Sequence, residues 1–172
     1  MLILDAAEAI LAEGGLTGLS AREIARRIGY SPGTIYNAFR NLDDVVLNVE
    51  ARVLDRLADS LGTPPAAAAP VEAVRHLAAA YLRFTQANPK LWGVLFEHTL
   101  PPGVVAPDWY HAKLNLLLTR VKLALVPAIG ATAPEAAKRA ARVLWAGVHG
   151  IASLAVTDKL AIVSTEGAAV LV

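Results

Sequence analysis

The sequence predicts an all-α protein, and three observations carry that prediction. Apolar residues recur at i, i+4, i+7 and i+8 in segment after segment, with no alternating run of the kind a strand needs. Glycine and proline clusters fall between those segments rather than inside them. Residues 20–39 read as two short helices joined by a tight turn. The predicted order is an N-terminal three-helix helix-turn-helix domain over residues 1–47 and a larger helical domain over residues 48–172.

The first helix is predicted over Leu2 to Glu13. Ile3, Ala7, Ile10 and Leu11 form its apolar stripe, and Gly14-Gly15 end it. The glycines of residues 14–18 are not a phosphate loop, because no strand precedes them and no Gly-Lys-Ser/Thr follows. Ser20 is an N-cap for the second helix, with Glu23 at the reciprocal capping-box position. Ile24 and Ile28 share one face of that helix, and Gly29 occupies the C′ position, where a left-handed residue ends a helix. Ser31 is a second N-cap, with Pro32 at the first helical position. Ile35 and Phe39 repeat the four-residue spacing. Ala25 falls where the two helices approach most closely. Leu16, Leu19, Ile24, Ile28, Ile35 and Phe39 complete a three-helix core with the first helix.

Asn41 to Leu61 is the next helix, with Leu42, Val45, Val46, Val49, Val53, Leu54 and Leu57 apolar. Asp43 and Asp44 suit its positive N-terminal end. Residues 63–70, T-P-P-A-A-A-A-P, form a linker by composition. Helices follow over 71–88, with Val74, Leu77, Ala78, Tyr81, Leu82 and Thr85 inward, and from Asn88-Pro89, with Leu91, Trp92, Leu95 and Phe96. Residues 98–108 hold three prolines and a glycine and form a loop. A long helix over 109–126 is ended by Pro127. Another opens at Ala133-Pro134-Glu135 and reaches about Thr157. The apolar tail to Val172 predicts that the natural chain continues.

Composition excludes several classes. At 172 residues, 55% hydrophobic and 18% charged, the chain can bury a real core, so disorder is not expected. With no cysteine there is no disulfide, thiolate metal site or cysteine nucleophile, and a reducing cytoplasm is expected. No signal peptide opens the chain, and the longest nearly uncharged apolar run, Val143 to Val156, is too short to span a bilayer. Eleven arginines against five lysines, with abundant alanine, suggest a GC-rich bacterial genome. Net charge is +1, unevenly placed: residues 1–60 hold six arginines and nine carboxylates, while residues 61–172 are net +4. Bulk charge therefore does not announce a polyanion binder. Locally, Arg22, Arg26, Arg27 and Arg40 cluster in or beside the helix pair, so binding rests on placement and shape.

The second helix of the pair presents Ser31, Gly33, Thr34, Tyr36, Asn37 and then Arg40 outward. Hydroxyls, an amide and backbone N–H groups suit phosphates and base edges. Ile3-Leu4-Asp5-Ala6-Ala7, Gly14-Gly15, the Ser20 to Gly29 helix and Ser31-Pro32-Gly33-Thr34-Ile35-Tyr36 through Phe39 resemble, in unbroken order, the N-terminal domain of TetR/AcrR-type transcriptional regulators. Leu144-Trp145-Ala146-Gly147-Val148-His149-Gly150-Ile151 is similar to the W-x-x-x-H-G stretch of one group of their C-terminal domains. The resemblance implies an all-helical homodimer, most often a repressor. Its N-terminal domain binds a palindromic double-stranded DNA operator, and its C-terminal domain dimerises and takes a small effector. Two positions depart from the family pattern. Leu42 stands where a phosphate-binding lysine is common, and Ala38 where a histidine is common. The basic arm before the first helix is absent or trimmed.

The expected site residues follow. Arg22, Arg26, Ser31, Gly33, Thr34, Tyr36, Asn37 and Arg40 are the DNA-binding set. Trp92, Phe96, Trp109, Trp145 and His149 are candidates to bind a small apolar or amphipathic effector. Ala146, Gly147, Gly150 and Ser153 form a small-residue strip for a dimer interface. The helix that carries the strip is apolar nearly all round, so it is expected to be buried on more than one side. His149 interrupts that helix and needs a hydrogen-bond partner, from an effector or a backbone carbonyl. None of His76, His98, His111 and His149 has metal-ligand spacing, and no nucleophile–base motif is present. No metal, cofactor, enzymatic activity or membrane partner is expected. The competing reading is a helical small-molecule-binding or protein-interaction domain whose helix-turn-helix no longer reads DNA.

Overall fold

A computed structural model of the chain describes residues 2–64, 68–129 and 134–172. Its elements are α1 (Leu2–Gly14), a short 3-10 turn (Leu16–Gly18), α2 (Ala21–Ile28), α3 (Gly33–Ala38), α4 (Leu42–Leu61), α5 (Pro70–Ala87), α6 (Pro89–Glu97), α7 (Asp108–Ile129), α8 (Pro134–Val156) and α9 (Leu160–Val163). No strand occurs among the described residues, and the all-α expectation holds. The predicted helix start at Ala133 and linker residues 65–67 lie outside the described residues.

The local signals act largely as the sequence predicts. Ser20 is extended, and its hydroxyl accepts from the Glu23 amide at 3.1 Å, so it caps α2. Gly29 closes α2 in the left-handed region at φ 75°. Gly15, at φ 66°, turns the chain after α1. Three details differ. The Glu23 carboxylate does not return to the Ser20 amide; two arginines hold it instead. Ser31 does not cap α3 with its side chain. Its carbonyl accepts from the Thr34 amide, and its hydroxyl stands 3.4 Å from that of Thr34. Pro127 does not end α7, which runs on to Ile129. A proline in the last turn removes a single hydrogen bond near a frayed end, so the helix tolerates it there.

The chain packs as two compact units, residues 1–55 with 88–111 and residues 56–87 with 112–172, and the division falls inside α4. In the first unit α1 packs on α2 and α6, and α2 on α3. Ala7, Ile10, Leu11, Ile24, Ala25, Ile35, Val45 and Val49 are buried there, and Leu91, Trp92, Val94 and Tyr110 extend the core. In the second unit α5 packs on α8 and α8 on α9. Leu77, Ala78, Tyr81, Leu82 and Phe84 of α5 are buried, as are Ala137, Ala141, Val148 and Ala152 in one stripe of α8. Each large buried side chain contributes about 1.5–3 kcal/mol relative to exposure. Within one chain, α8 therefore buries one face only. Val143, Trp145, Ala146 and Gly147 remain exposed in the single chain, so burial on a second side would need a partner subunit.

Candidate nucleic-acid interface

Helix α3 is held from beneath and open above. Ile35 is fully buried and anchors it, while Tyr36 is 56% exposed. Ser31, Gly33 and Asn37 are exposed and Thr34 is half-buried. Phe39 leaves the helix in an extended conformation and is half-buried. Tyr30, in the turn before α3, is also exposed. It adds a second aromatic that the sequence reading did not single out, although its place directly after Gly29 was visible.

The arginines of this face are tied to carboxylates. Arg26 makes two 2.7 Å bonds to Glu23. Arg27 donates to Glu23 at 3.0 Å and to both oxygens of Glu13 on α1. Arg40 reaches Asp44 on α4 at 3.1 Å, and its backbone amide points at the same carboxylate. Arg52 pairs with Asp5 at 2.7 Å. Arg22 is exposed on α2. The acidic excess of the first sixty residues is thus largely spent on internal pairs, and Glu13 and Asp44 are brought to arginines from outside the helix pair. Hydrogen bonds from Arg26 and then Arg27 hold the Glu23 carboxyl down at about 2. Arg27 likewise lowers Glu13, and Arg40 lowers Asp44. Arg26 and Arg40 keep more than two thirds of their side chains in water, so a phosphate can compete for them.

A second polar group lies beneath α4 in the same unit. The His98 side chain is 8% exposed, with Nδ1 2.9 Å from Glu50 Oε1 and Nε2 3.3 Å from Asp43 Oδ1. Glu50 is 2% exposed and also accepts from the Tyr110 hydroxyl. The Glu50 hydrogen bond raises the pKa of His98 against the opposing effect of burial, with Asp43 adding to the rise.

The five proposed effector residues fall in both units. Trp92 is buried against Phe96, ring centroids 5.2 Å apart, and Phe96 is 44% exposed. Trp109 is also exposed and meets Tyr110 edge-on. In the second unit Trp145 stacks on His149 at 5.1 Å, and His149 Nδ1 is 3.0 Å from the Tyr81 hydroxyl. The partner of His149 is thus a side chain of α5, and burial lowers the His149 pKa. On the same helix, a Cβ added at Gly147 or Gly150 would meet nothing within 4 Å. No described group of three or more His, Cys, Asp or Glu could hold a metal ion, and no described helix is long and apolar enough to cross a membrane.

Comparison with known families accounts for both ends of the chain. Residues 3–49 match "Bacterial regulatory proteins, tetR family", and residues 74–171 match "Tetracyclin repressor-like, C-terminal domain". The chain belongs to the TetR family of bacterial transcriptional regulators. No curated protein sequence matches it. Among solved structures it is similar to a protein of unknown function from Rhodococcus sp. RHA1. The TM-score is 0.75 at 27% identity, covering 99% of this chain and 87% of that one. It is also similar to a TetR regulator from Streptomyces coelicolor, with TM-score 0.61, 26% identity and 91% and 71% coverage. The TetR-family regulator PfmR from Thermus thermophilus shares the fold, with TM-score 0.66, 16% identity and 98% and 91% coverage. As a TetR-family regulator, this chain carries its DNA-binding domain in α1–α3 and a TetR-type C-terminal domain beyond it.

Proposed function

We propose that the protein is a one-component repressor acting in the cytoplasm. It binds a palindromic operator as a homodimer, and a small apolar or amphipathic effector releases it. Residues 1–47 form the DNA head and residues 48–172 the effector-binding and dimerising body. The observation that carries the DNA reading is α3 itself: Ile35 is fully buried beneath it while Tyr36 and Asn37 stand open above. Helix α3 of each subunit enters a major groove, with the two heads about 34–36 Å apart, one DNA turn. Ser31, Thr34, Tyr36 and Arg40 grip the backbone with help from Arg22 and Arg26, and Gly33 and Asn37 lie nearest the base edges. Dimerisation uses the α8 strip Ala146, Gly147, Gly150 and Ser153; the open space at both glycines supports this. Among Trp92, Phe96, Trp109, Trp145 and His149, the best-supported effector contacts are Trp145 and His149, because Tyr81 joins them in one polar–aromatic group. An effector bound there favours a head spacing that no longer fits DNA, which requires different affinities for the two arrangements.

One observation favours a second reading, in which the head serves protein or small-molecule contact. Arg26, Arg27 and Arg40 are all engaged by carboxylates. The deciding experiment is fluorescence anisotropy against DNA flanking the gene, at several salt concentrations, with scrambled competitor and Tyr36→Ala as control. Competitor-resistant binding that weakens with salt and is lost in the variant supports the repressor. If neither this DNA nor a random-sequence selection yields a bound duplex, the second reading stands.

A further inference from the structure

The His98 cluster has a geometry that an imidazolium satisfies at both ring nitrogens. Both ring nitrogens face carboxylate oxygens, at 2.9 Å to Glu50 and 3.3 Å to Asp43. An ionised carboxylate only accepts, so with both acids ionised both nitrogens carry hydrogen and the ring is an imidazolium. The neutral ring would turn a lone pair toward one of the two acids. Glu50 also receives the Tyr110 hydroxyl. Buried charge of this kind persists only when its partners are complete.

The two acids are seven residues apart on one face of α4, two turns of helix. His98, at the end of α6, therefore grips α4 at two points along its length. The adjacent residue of the first turn, Asp44, faces the other way functionally. Its amide is capped by the Asn41 side chain at 2.8 Å, and its carboxylate holds both the backbone amide and the guanidinium of Arg40, just beyond α3. A displacement of the first turn of α4 is thus passed to Arg40 through one residue.

We propose that His98, clamped as an imidazolium between Asp43 and Glu50, is a positioning residue for DNA recognition: it fixes the start of α4, and through Asp44 it fixes Arg40. This rests on the DNA reading above. The titratable groups facing His98 are Asp43 and Glu50 of α4, with Tyr110 of α7 behind Glu50. On α6, the Glu97 carboxylate lies over Gly93 and the Lys90 ammonium donates to the Glu13 carbonyl of α1; the Glu13 carboxylate is taken by Arg27. DNA affinity consequently falls as pH rises and the ring loses its second proton. By reciprocity, DNA raises the His98 pKa by the same factor.

The test uses the full chain and a duplex that the wild type recovers from a random-sequence pool at about pH 6, where histidine is largely charged. Anisotropy across about pH 6 to 9 should show wild-type affinity falling roughly three- to tenfold, the range allowed by a coupling of up to one pKa unit. His98→Gln should bind more weakly at low pH and lose that dependence. Asp43→Asn, which leaves Glu50 and the core in place, should move the midpoint to lower pH. Imidazole NMR should show the His98 titration shifted upward when the duplex is bound. An unchanged pH profile in both variants, or a His98 titration identical with and without DNA, overturns the proposal. If the pool yields no duplex, the DNA reading falls and takes the positioning role with it. That outcome is distinct, because NMR on the free protein still reports whether both ring nitrogens are protonated.

Discussion

The guanidinium of Arg27 forks onto the carboxylate of Glu13, with Nη1–Oε1 at 2.9 Å and Nη2–Oε2 at 2.6 Å. This ties α2 to the end of α1, while the Arg27 Nε shares Glu23 with Arg26. Glu23 is therefore the acid that holds both arginines of α2, and Arg27 would keep Glu13 without it. Glu23→Gln should leave Arg26 unpaired for a phosphate. We expect operator affinity at low salt to rise, and the slope of log affinity against log salt to steepen by about 1, the value of one added phosphate contact. Thermal stability should fall slightly, because the first turn of α2 loses an acid that suits the helix N-terminus. Anisotropy salt titrations of the two proteins check the slope, and an unchanged slope means that Glu23 does not hold Arg26 back from a phosphate.

The same carboxylates set an acid limit. Glu23, Glu13 and Asp44 titrate below their ordinary values in the folded chain because arginines donate to them. The sign follows directly. Their stabilisation is complete above the ordinary carboxylate value, near 4.5 for a glutamate, and is lost as pH falls through the lowered values, to about 2 for Glu23. The contribution of these pairs should thus hold steady down to the ordinary carboxylate value and decline below it, which circular dichroism melts of the wild type and of Glu23→Gln, compared across that range, would read. Added salt should shrink this decline, because the pairs lie at the surface. A midpoint of thermal unfolding that does not move in acid would show that these exposed pairs add nothing measurable to stability.

Much of the head was legible because its signals are local. Ser20 and Gly29 act on neighbours three or four residues away, so a cap and a left-handed stop can be read from residue type and spacing alone. The periodicity of α1 and α5 named their buried faces for the same reason. The pairs that link elements were not legible. Glu13 and Arg27 are 14 residues apart, and His98 lies 48 and 55 residues from its two acids. One trace of that cluster was present, since Glu50 falls among the buried valines Val45, Val46, Val49 and Val53 and must find a partner. Pro127 misled because proline ends a helix interior reliably but a last turn only weakly. The role of α8 was half legible. Its apolar girth was visible in the sequence, but only the structure separates the stripe Ala137, Ala141, Val148 and Ala152 from the exposed side.

Gly29 offers a test of the turn between α2 and α3. Its φ is +75°, and a Cβ there would meet nothing within 4 Å, so any penalty for alanine comes from backbone strain alone. Gly29→Ala should cost about 1–2 kcal/mol. Urea denaturation reads this directly. A cost near zero would mean that the turn relaxes into a conformation open to any residue. DNA affinity should then change instead, because the angle between α2 and α3 would have moved.

Gly150 separates folding from association on α8. Glycine inside a helix costs about 1 kcal/mol relative to alanine, and at Gly147 and Gly150 no described atom lies within 4 Å of where a Cβ would stand. A larger side chain should therefore leave the subunit folded, or stabilise the helix, while blocking close approach by another helix. Gly150→Leu is expected to keep wild-type helicity by circular dichroism, to run as a monomer in light scattering, and to lose operator affinity with it. Gly147→Leu, at the more exposed position, should behave the same way. A folded, clean dimer in both variants would move the interface off this strip, to other exposed apolar residues of the same unit such as Leu116 and Leu123 on α7. Misfolding in both would instead show that the glycines serve packing inside one subunit, against the open space found around them.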